Sequence, residues 1–445
     1  MYNPEKFQQM PGGMSLDQAV AEAERCLLCH DAPCSRACPA DTDPGTFIRK
    51  LRLKNVTGAI RTIKENNILG GACGVLCPAG RLCEKECCAT GISRPVEIAR
   101  IQRFLVEHSW VRNLKVLETA ESNGKKVAIV GSGPAGLSCA AELAKRGCAV
   151  TVFEARPEAG GVIRYGVPAY RYDVNFLEHE LQEIKELGVE FCCNTPIRNP
   201  GQAEELLAKG YAAVFIATGL WAATSLNPEK QGVDGLFTSV EFLAALRAES
   251  LEKMRARIAG TVVAVIGGGS VAIDCAESAL KLGATDVYLV YRRSFAQMPA
   301  EEGERLETLA SGVHFLLLNQ PLGFVVNQQN KVEGLRLIRT QLAEAQGSDR
   351  RSPQEIAGSE WVLNADIVIE AIGNQAEADS PAWYPHVKVD ARRLIQADAK
   401  TRKTSVPGIF AGGDIVRGPA LVVEAVQDGK LAAMAITDYL SQKEM

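Results

Sequence analysis

One pattern occurs twice in this 445-residue chain and constrains its fold most: an apolar strand, a glycine-rich loop, a helix and a second strand. The first loop reads Gly131-Ser-Gly-Pro-Ala-Gly136, and the second reads Gly267-Gly-Gly-Ser-Val-Ala272. Strands that alternate with helices in this way form βαβ units of a parallel sheet. The sequence therefore predicts an α/β protein with two Rossmann-like dinucleotide-binding domains. The four strands are predicted at residues 125–130, 149–153, 261–266 and 286–291.

Two groups of four cysteines lie within the first ninety residues. The N-terminal segment lacks the apolar stretch of a signal peptide, so metal binding is favoured over disulfides. Bacterial iron–sulfur runs have such short intervals and end in Cys-Pro, and their last cysteine serves the other cluster. Zinc remains the alternative, although zinc sites usually use two Cys-x2-Cys pairs. The two groups read Cys26-x2-Cys29-x4-Cys34-x3-Cys38-Pro39 and Cys73-x3-Cys77-Pro78-x4-Leu82-Cys83-x3-Cys87.

Spacing assigns these cysteines to two 4Fe–4S clusters. Cys26, Cys29 and Cys34 share one cluster, and Cys38 reaches to the second. Further ligands come from the second group, namely Cys77, Cys83 and Cys87, and spacing alone also favours Cys73. Helical apolar spacing surrounds the cysteines, so a helical iron–sulfur domain is predicted for residues 1–122. Its helices are predicted at 19–25, 44–54, 58–66 and 96–108.

The context of the first glycine loop predicts an FAD site. Glu154 ends the strand that follows the loop and its helix, where a carboxylate accepts hydrogen bonds from ribose hydroxyls. Two further glycine turns, at 160–161 and 413–414, let the chain pass close to a flavin nucleotide; tight packing alone is the alternative. A helix predicted from Leu421 directs its positive end toward the flavin ring. The candidates are Gly131, Gly133, Pro134, Ala135, Gly136, Glu154, Gly160, Gly161, Gly413, Asp414 and Val422.

The second glycine loop predicts the nicotinamide dinucleotide site. Ala272 replaces the third glycine, which is tolerated where helix and strand pack slightly farther apart. The next strand ends in Arg292 and Arg293 instead of an acid, and arginines suit the 2′-phosphate of NADP. NADP is therefore favoured over NAD, and a merely solvated strand end is the alternative for the arginines. The candidates are Gly267, Gly268, Gly269, Ser270, Val271, Ala272, Arg292 and Arg293.

Two more turns end apolar strands and are interpreted as crossings between the nucleotide domains, next to the flavin. Their candidate residues are Thr218, Gly219, Ala371, Ile372 and Gly373. An FAD domain is predicted over 123–224 and 362–445, with the NAD(P) domain, 225–361, inserted into it. The second βαβ unit has no Cys-x2-Cys pair, which argues against a thioredoxin-reductase-like dithiol. The polar segment 341–358 is predicted to be a hairpin loop.

Composition narrows the range of partners. The net charge is −4, with 47% hydrophobic and 23% charged residues, and this balance indicates neither nucleic acid nor an anionic membrane as a partner. No uninterrupted apolar stretch is long enough to span a bilayer. A cytoplasmic protein is therefore expected.

Several motifs together resemble one family. From about Cys26 to the C-terminus, the chain resembles the flavin and iron–sulfur electron-input module shared by dihydropyrimidine dehydrogenase and the small subunit of glutamate synthase. The segment 69–78 looks most like the pyrimidine-reducing branch, whereas 291–294 looks more like the NADPH-using glutamate-synthase branch. The motifs are Cys26-Leu-Leu-Cys29-His-Asp-Ala-Pro-Cys34-Ser-Arg-Ala-Cys38-Pro, Cys73-Gly-Val-Leu-Cys77-Pro, Gly131-Ser-Gly-Pro-Ala-Gly136, Gly166-Val-Pro-Ala-Tyr-Arg171, Tyr291-Arg-Arg-Ser294 and Ala411-Gly-Gly-Asp414.

The resemblance implies a ligand set that differs from the one that spacing favours. In the pyrimidine branch one cluster is held by three cysteines and a glutamine, and Gln102 stands at the matching position. The resemblance leaves Cys73 outside both clusters and implies that Arg171 contacts the flavin. The two implied sets are Cys26, Cys29, Cys34 and Cys87, and Cys38, Cys77, Cys83 and Gln102.

The resemblance also implies an electron-transfer subunit. NAD(P)H would reduce FAD, and electrons would pass through the clusters to a second polypeptide that reduces uracil or thymine to the 5,6-dihydro form. The chain has no counterpart of the FMN-binding barrel that such a reduction needs, so the barrel is expected on the partner of a hetero-oligomer. The small subunit of an NADPH-dependent glutamate synthase is the alternative enzyme. A scaffold or redox sensor with degenerate sites is the alternative from another class.

Overall fold

The computed structural model describes residues 10–227, 232–247, 251–344 and 351–442. Its cysteine-rich segment is helical, and the four predicted helices are confirmed to within a few residues at each end. Their apolar faces share one core, which includes Phe47, Ile60 and Leu105. The helices are α1 Leu16–Glu24, α2 Pro33–Arg36, α3 Pro44–Arg52, α4 Val56–Asn66, α5 Gly70–Leu76 and α6 Ile98–Val111, with 3-10 turns at Ala79–Arg81 and Cys88–Gly91.

The first βαβ unit opens a parallel sheet. Its elements are β1 Lys126–Val130, α7 Pro134–Lys145, β2 Ala149–Phe153, α8 Gly161–Tyr165, α9 Val174–Glu186, β3 Glu190–Cys192, α10 Gln202–Ala208 and β4 Ala213–Ile216. Strand β1 pairs in parallel with β2 and β4, and β2 pairs with β3. All of β1 after Lys126 is buried, as a central strand of a parallel sheet requires.

The second βαβ unit lies in a further five-stranded parallel sheet. The elements are β5 Ala222–Ala223, β6 Leu236–Thr238, α11 Ser239–Arg247, α12 Leu251–Ile258, β7 Val262–Ile266, α13 Ser270–Lys281, β8 Asp286–Tyr291, a 3-10 turn at Phe295–Gln297, α14 Glu302–Ala310, β9 His314–Leu317, β10 Asn319–Val326, β11 Val332–Leu342, β12 Pro353–Glu355, β13 Trp361–Asn364, β14 Ile367–Glu370 and β15 Asn374–Gln375. The parallel order is β6-β14-β7-β8-β9, and β10 to β13 form an antiparallel sheet around β11. Strands β11 and β12 pair antiparallel at the two ends of the predicted hairpin loop, whose residues 345–350 lie outside the described residues.

The C-terminal segment returns to the first sheet. It contains α15 Ser380–Trp383, β16 Ile409–Ala411, α16 Asp414–Arg417 and α17 Val422–Gln442. Strand β16 pairs in parallel with β4, which gives the order β16-β4-β1-β2-β3. Helix α17 approaches α7 very closely at Gly429, where a Cβ would lie 2.3 Å from the Ala135 carbonyl oxygen.

The contacts divide the chain into two compact units. The larger unit contains residues 10–164, 171–220 and 376–442, and the smaller unit contains 165–170 and the described part of 221–375. The predicted α/β fold, with one dinucleotide-binding fold inserted into another, is confirmed. The smaller unit extends past the predicted boundary at 361 because β14 pairs with β7 in the second sheet. The cysteine-rich helices share a unit with the first sheet, so a separate domain ending at residue 122 stays a prediction.

Candidate nucleotide and iron–sulfur sites

The first glycine loop forms an open cradle at the carboxyl end of β1. Gly131 has φ +102°, and a Cβ there would lie 2.4 Å from the Ala217 carbonyl oxygen. A Cβ on Gly136 would lie 2.0 Å from the Gly131 oxygen, so α7 begins close against the loop. A Cβ on Gly133 would meet no atom of the described residues within 4 Å. The loop thus provides the tight turn, the close packing and the open approach that a pyrophosphate at a helix N-terminus requires.

Gly161 and Glu154 order one wall of this cradle. A Cβ on Gly161, at φ +54°, would lie 2.7 Å from the Gly133 Cα atom. The buried Glu154 carboxylate accepts a hydrogen bond from the Ser132 backbone N–H at 3.0 Å, and the Ser132 hydroxyl accepts one from the Gly160 N–H at 3.0 Å. Glu154 therefore fixes the loop directly, which the sequence does not reveal, while its contact with a ribose stays a prediction.

The turn at Gly413 and Asp414 lies beside the same cradle. Gly413 has φ +75°, and a Cβ there would lie 3.0 Å from the Ala135 Cβ. Burial, together with the carboxylates of Asp428 and Glu424, raises the pKa of Asp414 to about 7. The structure therefore brings the predicted C-terminal turn to the first glycine loop, although they lie far apart in sequence.

A buried aspartate that the sequence analysis missed holds this turn. Asp428 on α17 has no exposed surface, and its carboxylate accepts hydrogen bonds from the Gly413 N–H and the Arg417 Nε–H, both at 2.8 Å. Arg402 Nη2 lies 2.7 Å from Asp428 Oδ1. The sequence offered one signal for this role, namely that Asp428 lies among small residues of α17, such as Ala425 and Gly429, that are themselves buried.

The remaining FAD candidates occupy the larger unit. Thr218 and Gly219 follow β4, and Thr218 Cα lies 3.2 Å from the position of a Cβ on Gly131. Val422 is the first residue of α17, and Arg171 lies in the segment that leads to α9. Their contacts with a flavin stay predictions.

The second glycine loop repeats the three environments of the first. A Cβ on Gly267, at φ +146°, would lie 2.3 Å from the Ala371 carbonyl oxygen, and one on Gly269 would meet no atom of the described chain within 4 Å. Ala272 is fully buried at the third glycine position. The predicted turn residues Ile372 and Gly373 follow Ala371 directly, so the turn after β14 lies at this loop. Within the loop, Ser270 donates a hydrogen bond from its hydroxyl to a Glu304 carboxylate, a Cβ on Gly268 would lie 2.5 Å from the Tyr291 ring, and Val271 is exposed.

The two arginines after β8 have different surroundings. Arg292 is exposed at the strand end, and its carbonyl oxygen accepts a hydrogen bond from the Thr340 hydroxyl at 2.9 Å. The Arg293 guanidinium donates from Nε to the Arg351 carbonyl oxygen at 2.9 Å. Arg292 is therefore the better candidate for a 2′-phosphate.

Replacing Arg292 with alanine tests this assignment. We expect the KM for NADPH to rise about 10- to 100-fold, because a charge-assisted hydrogen bond is worth about 1.5–3 kcal/mol. The KM for NADH, which lacks the 2′-phosphate, should stay unchanged. Arg293→Ala is the matched control. The assignment would be contradicted if both substitutions changed the KM for NADPH and the KM for NADH by the same factor. The measurement is the initial rate of reduction of an artificial electron acceptor.

One group of cysteines gathers around Cys34. Burial is the main reason why the pKa of the Cys34 thiol is raised to about 11, and the electrostatic influence of the nearby Cys26 and Cys87 thiols raises it further. Cys29 instead forms a hydrogen bond with the exposed Cys88, and this bond raises the pKa of Cys88. Iron–sulfur clusters bind thiolates, so cluster binding at such thiols must release protons. The place of Cys29 in the set stays a prediction.

A second group gathers around Cys77. Burial, followed by the electrostatic influence of Cys73, Cys83 and Cys38, raises the pKa of the Cys77 thiol. Gln102 on α6 is also buried, and its Nε2 donates to the carbonyl oxygen of the first residue of α5 at 2.7 Å. Both Cys73 and Gln102 therefore lie at α5. The choice between them as the eighth ligand stays a prediction.

The donor set fits iron–sulfur clusters, because both groups consist of cysteines and such clusters bind cysteine thiolates. Among the described residues, no three His, Cys, Asp or Glu side chains converge closely enough to hold a single metal ion. In the part of the chain that the structure describes, no helix is both long enough and apolar enough to cross a membrane.

Solved structures share the dinucleotide-binding fold. The His57Gln mutant of FprA from Mycobacterium tuberculosis aligns with a TM-score of 0.61 and 21% identity, over 72% of this chain and 85% of that one. Thioredoxin reductase from T. acidophilum aligns with a TM-score of 0.53 and 20% identity, over 72% of this chain and 99% of that one. At these identities the comparison shows the fold alone.

Family models and relatives cover almost the whole chain. Residues 125–429 match the pyridine nucleotide-disulphide oxidoreductase family, and residues 3–114 match dihydropyrimidine dehydrogenase domain II, 4Fe-4S cluster. The NADP(+)-dependent formate dehydrogenase subunit beta of Moorella thermoacetica is 38% identical over 92% of this chain, which spans 60% of that protein.

Two other relatives match over nearly their full length. The NAD-dependent dihydropyrimidine dehydrogenase subunit PreT of Salmonella typhimurium is 37% identical over 95% of both chains. The glutamate synthase [NADPH] small chain of Escherichia coli is 33% identical over 98% of this chain and 94% of that one. These matches confirm the resemblance inferred from the motifs. The chain therefore belongs to the pyridine nucleotide-disulphide oxidoreductase family, as an NAD(P)H oxidoreductase whose N-terminal segment matches the model of dihydropyrimidine dehydrogenase domain II, 4Fe-4S cluster.

Proposed function

We propose that the chain is an electron-input subunit that oxidises NAD(P)H and passes the electrons through FAD and two 4Fe–4S clusters to a partner subunit. The supporting observation is that the cysteine groups and the first glycine cradle belong to one compact unit. Lys145, at the end of the helix that starts at the cradle, donates to the Glu65 carbonyl oxygen at 2.8 Å. A helix of the cysteine-rich segment, α4, is thereby tied to α7, the helix that begins at the first glycine cradle.

The chain's own residues bind and orient, because the cofactors carry the redox chemistry. Gly133 would leave room for the FAD pyrophosphate, whereas Gly131 and Gly161 allow the tight turn and the close packing that shape the cradle. Asp414 would hold the ribityl chain. The loop at Gly269 and the exposed Arg292 would hold the NADPH. When bound, FAD would supply the link between a two-electron donor such as NADPH and one-electron acceptors such as the clusters. No side chain is needed as an acid or base for hydride transfer itself.

The proposed partner carries the substrate site on an FMN-binding barrel. The relatives named dihydropyrimidine dehydrogenase subunits match over 95% of the chain, which supports uracil or thymine reduction to the 5,6-dihydropyrimidine. The second candidate is the small subunit of an NADPH-dependent glutamate synthase. The exposed Arg292 favours NADPH, which agrees with the nucleotide in the names of the glutamate synthase and formate dehydrogenase relatives.

Reconstitution with a partner tests the proposal. The chain is purified without oxygen, its flavin, iron and sulfide are measured, and flavin bleaching by NADPH and NADH is compared. It is then mixed with an FMN-barrel subunit of each class, with uracil or with 2-oxoglutarate and glutamine as substrate. We expect bound FAD, iron and sulfide, faster bleaching by NADPH, and uracil-dependent NADPH oxidation with the pyrimidine-type partner. Protein without flavin, or with zinc in place of iron and sulfide, would contradict the proposal.

A further inference from the structure

Helix α9 of the larger unit carries a carboxylate that reaches into the cysteine-rich helices. Glu180 has no exposed surface. Its Oε1 accepts hydrogen bonds from the Gly71 N–H at 2.7 Å and from the Ala72 N–H at 3.1 Å. The Tyr172 hydroxyl donates to Oε2 at 3.3 Å. N–H groups in the first turn of a helix have no partner within the helix, so Glu180 satisfies two of them for α5.

Helix α5 is held tightly on several sides. A Cβ on Gly71 would lie 2.9 Å from Glu180 Oε1 and 2.8 Å from the Trp110 ring, and a Cβ on Gly74 would lie 2.8 Å from the Arg103 backbone nitrogen. These glycines allow the neighbouring elements to approach the helix backbone directly. Cys73 lies on this helix, and Cys77 follows its last residue, so the position of α5 sets the position of both thiols.

A second carboxylate on α9 strengthens the same contact. Glu183 forms an ion pair with Lys64 of α4, whose side chain is only 3% exposed, and it accepts a hydrogen bond from the Trp110 Nε1–H at 3.1 Å. Buried charged groups are costly unless they are paired and hydrogen-bonded. Glu180 and Glu183 lie one helical turn apart, so one face of α9 holds both α4 and α5.

We propose that Glu180 is a positioning residue for the predicted cluster of Cys38, Cys77 and Cys83. Its two hydrogen bonds fix α5, and therefore the Cys77 thiol, relative to α9 within the unit that also holds the first nucleotide site. This inference rests on the proposed function, because it requires that the chain binds a cluster through Cys77. Hydrogen bonds that orient the ligands of a cluster also tune its properties, as second-shell contacts do at other metal sites.

Two substitutions at Glu180 separate the effect of its hydrogen bonds from the effect of the size and shape of its side chain. Glu180→Met removes both acceptors at similar length, whereas Glu180→Gln keeps one amide oxygen in reach of the Gly71 and Ala72 N–H groups. Glu186→Gln, on the same helix but exposed, is the control. The readouts are hydrogen–deuterium exchange of the peptide 67–76, and the electron paramagnetic resonance spectrum and iron content of the dithionite-reduced full chain.

For Glu180→Met we expect exchange of the α5 amides to quicken about tenfold or more, because their acceptor is lost. The resonance spectrum of one cluster should change while the other stays as in the wild type. Glu180→Gln should behave like the wild type in both readouts. Equal changes in Glu180→Met and Glu180→Gln, or no change in either, would overturn the proposal.

A glycine pair repeats the test from the other side of the contact, in case Glu180→Met does not fold. Gly71→Ala places a methyl group 2.9 Å from Glu180 Oε1 and 2.8 Å from the Trp110 ring, whereas a Cβ on Gly80 would meet no atom of the described residues within 4 Å. We expect Gly71→Ala to change exchange and one cluster spectrum, and Gly80→Ala to change neither. A folded Gly71→Ala protein with both readouts unchanged would overturn the proposal. A wild-type chain without iron and sulfide would refute the proposed function, while the exchange data would still test the hold of Glu180 on α5.

Discussion

Replacing Asp428 with alanine is expected to destabilise the larger unit by about 3–5 kcal/mol, because buried guanidinium groups then lose their carboxylate. The side chains of Arg402 and Arg417, only 9% and 24% exposed, both form ion pairs with Asp428. The Gly413 N–H loses its acceptor as well, so the turn at the first nucleotide site should loosen. The measurement is urea unfolding, together with the FAD content after gel filtration.

Two further variants serve as controls for Asp428→Ala. Asp438 lies on the same helix at an exposed position. Its replacement, Asp438→Ala, should change the free energy of unfolding by less than about 0.5 kcal/mol. Asp428→Asn keeps one oxygen acceptor but no charge, and should fall between the wild type and Asp428→Ala. If Asp428→Ala retains both the stability and the FAD content of the wild type, Asp428 does not hold the turn.

Replacing Cys77 with alanine is expected to remove one of the two proposed clusters, so that iron and sulfide per FAD fall by about half. The methyl group of alanine cannot replace a thiolate ligand. Flavin bleaching by NADPH should persist, because the first glycine cradle does not involve Cys77. Electron transfer to a partner should stop, since the relay is broken. Metal and sulfide analysis, and bleaching in the stopped flow, measure the two halves of this prediction.

Cys73 provides the matched control for Cys77 and decides the eighth ligand. Both thiols lie at α5, and burial raises the pKa of Cys73 to about 12. If Gln102 is the ligand, Cys73→Ala retains both clusters, whereas Gln102→Leu loses one. The reverse result would contradict the ligand set that the family resemblance implies.

The strands of the βαβ units in the two parallel sheets were predictable from the sequence, because they are apolar runs that lie next to glycine-containing loops. The predicted strands 149–153 and 286–291 coincide with β2 and β8. The antiparallel sheet was not predicted, because β11 breaks the usual alternation of a strand. Between Glu333 and Arg339 it exposes every third residue, namely Glu333, Arg336 and Arg339, and this period is closer to that of a helix.

The glycines of both sites were predictable, but the residues that support them were not. Each glycine loop has a local signature, namely its position between a strand and a helix. Glu180 lies in the polar run of α9, where a buried acid has the same sequence context as a solvated one. Asp428 likewise has its partners far away, in the turns at Arg402 and Gly413. Only the tertiary contacts distinguish such residues from surface charges.

The division of the first sheet has a consequence for synthesis on the ribosome. Strand β4 ends at Ile216, but its neighbour β16 begins only at Ile409, after the whole of the smaller unit. A growing chain can therefore complete the inserted fold while the surrounding one still lacks a strand and its longest described helix. Until β16 has been synthesised, β4 presents an open edge, and open edges invite mispairing with other chains. Prematurely terminated chains should accordingly need chaperones more than the full-length product does.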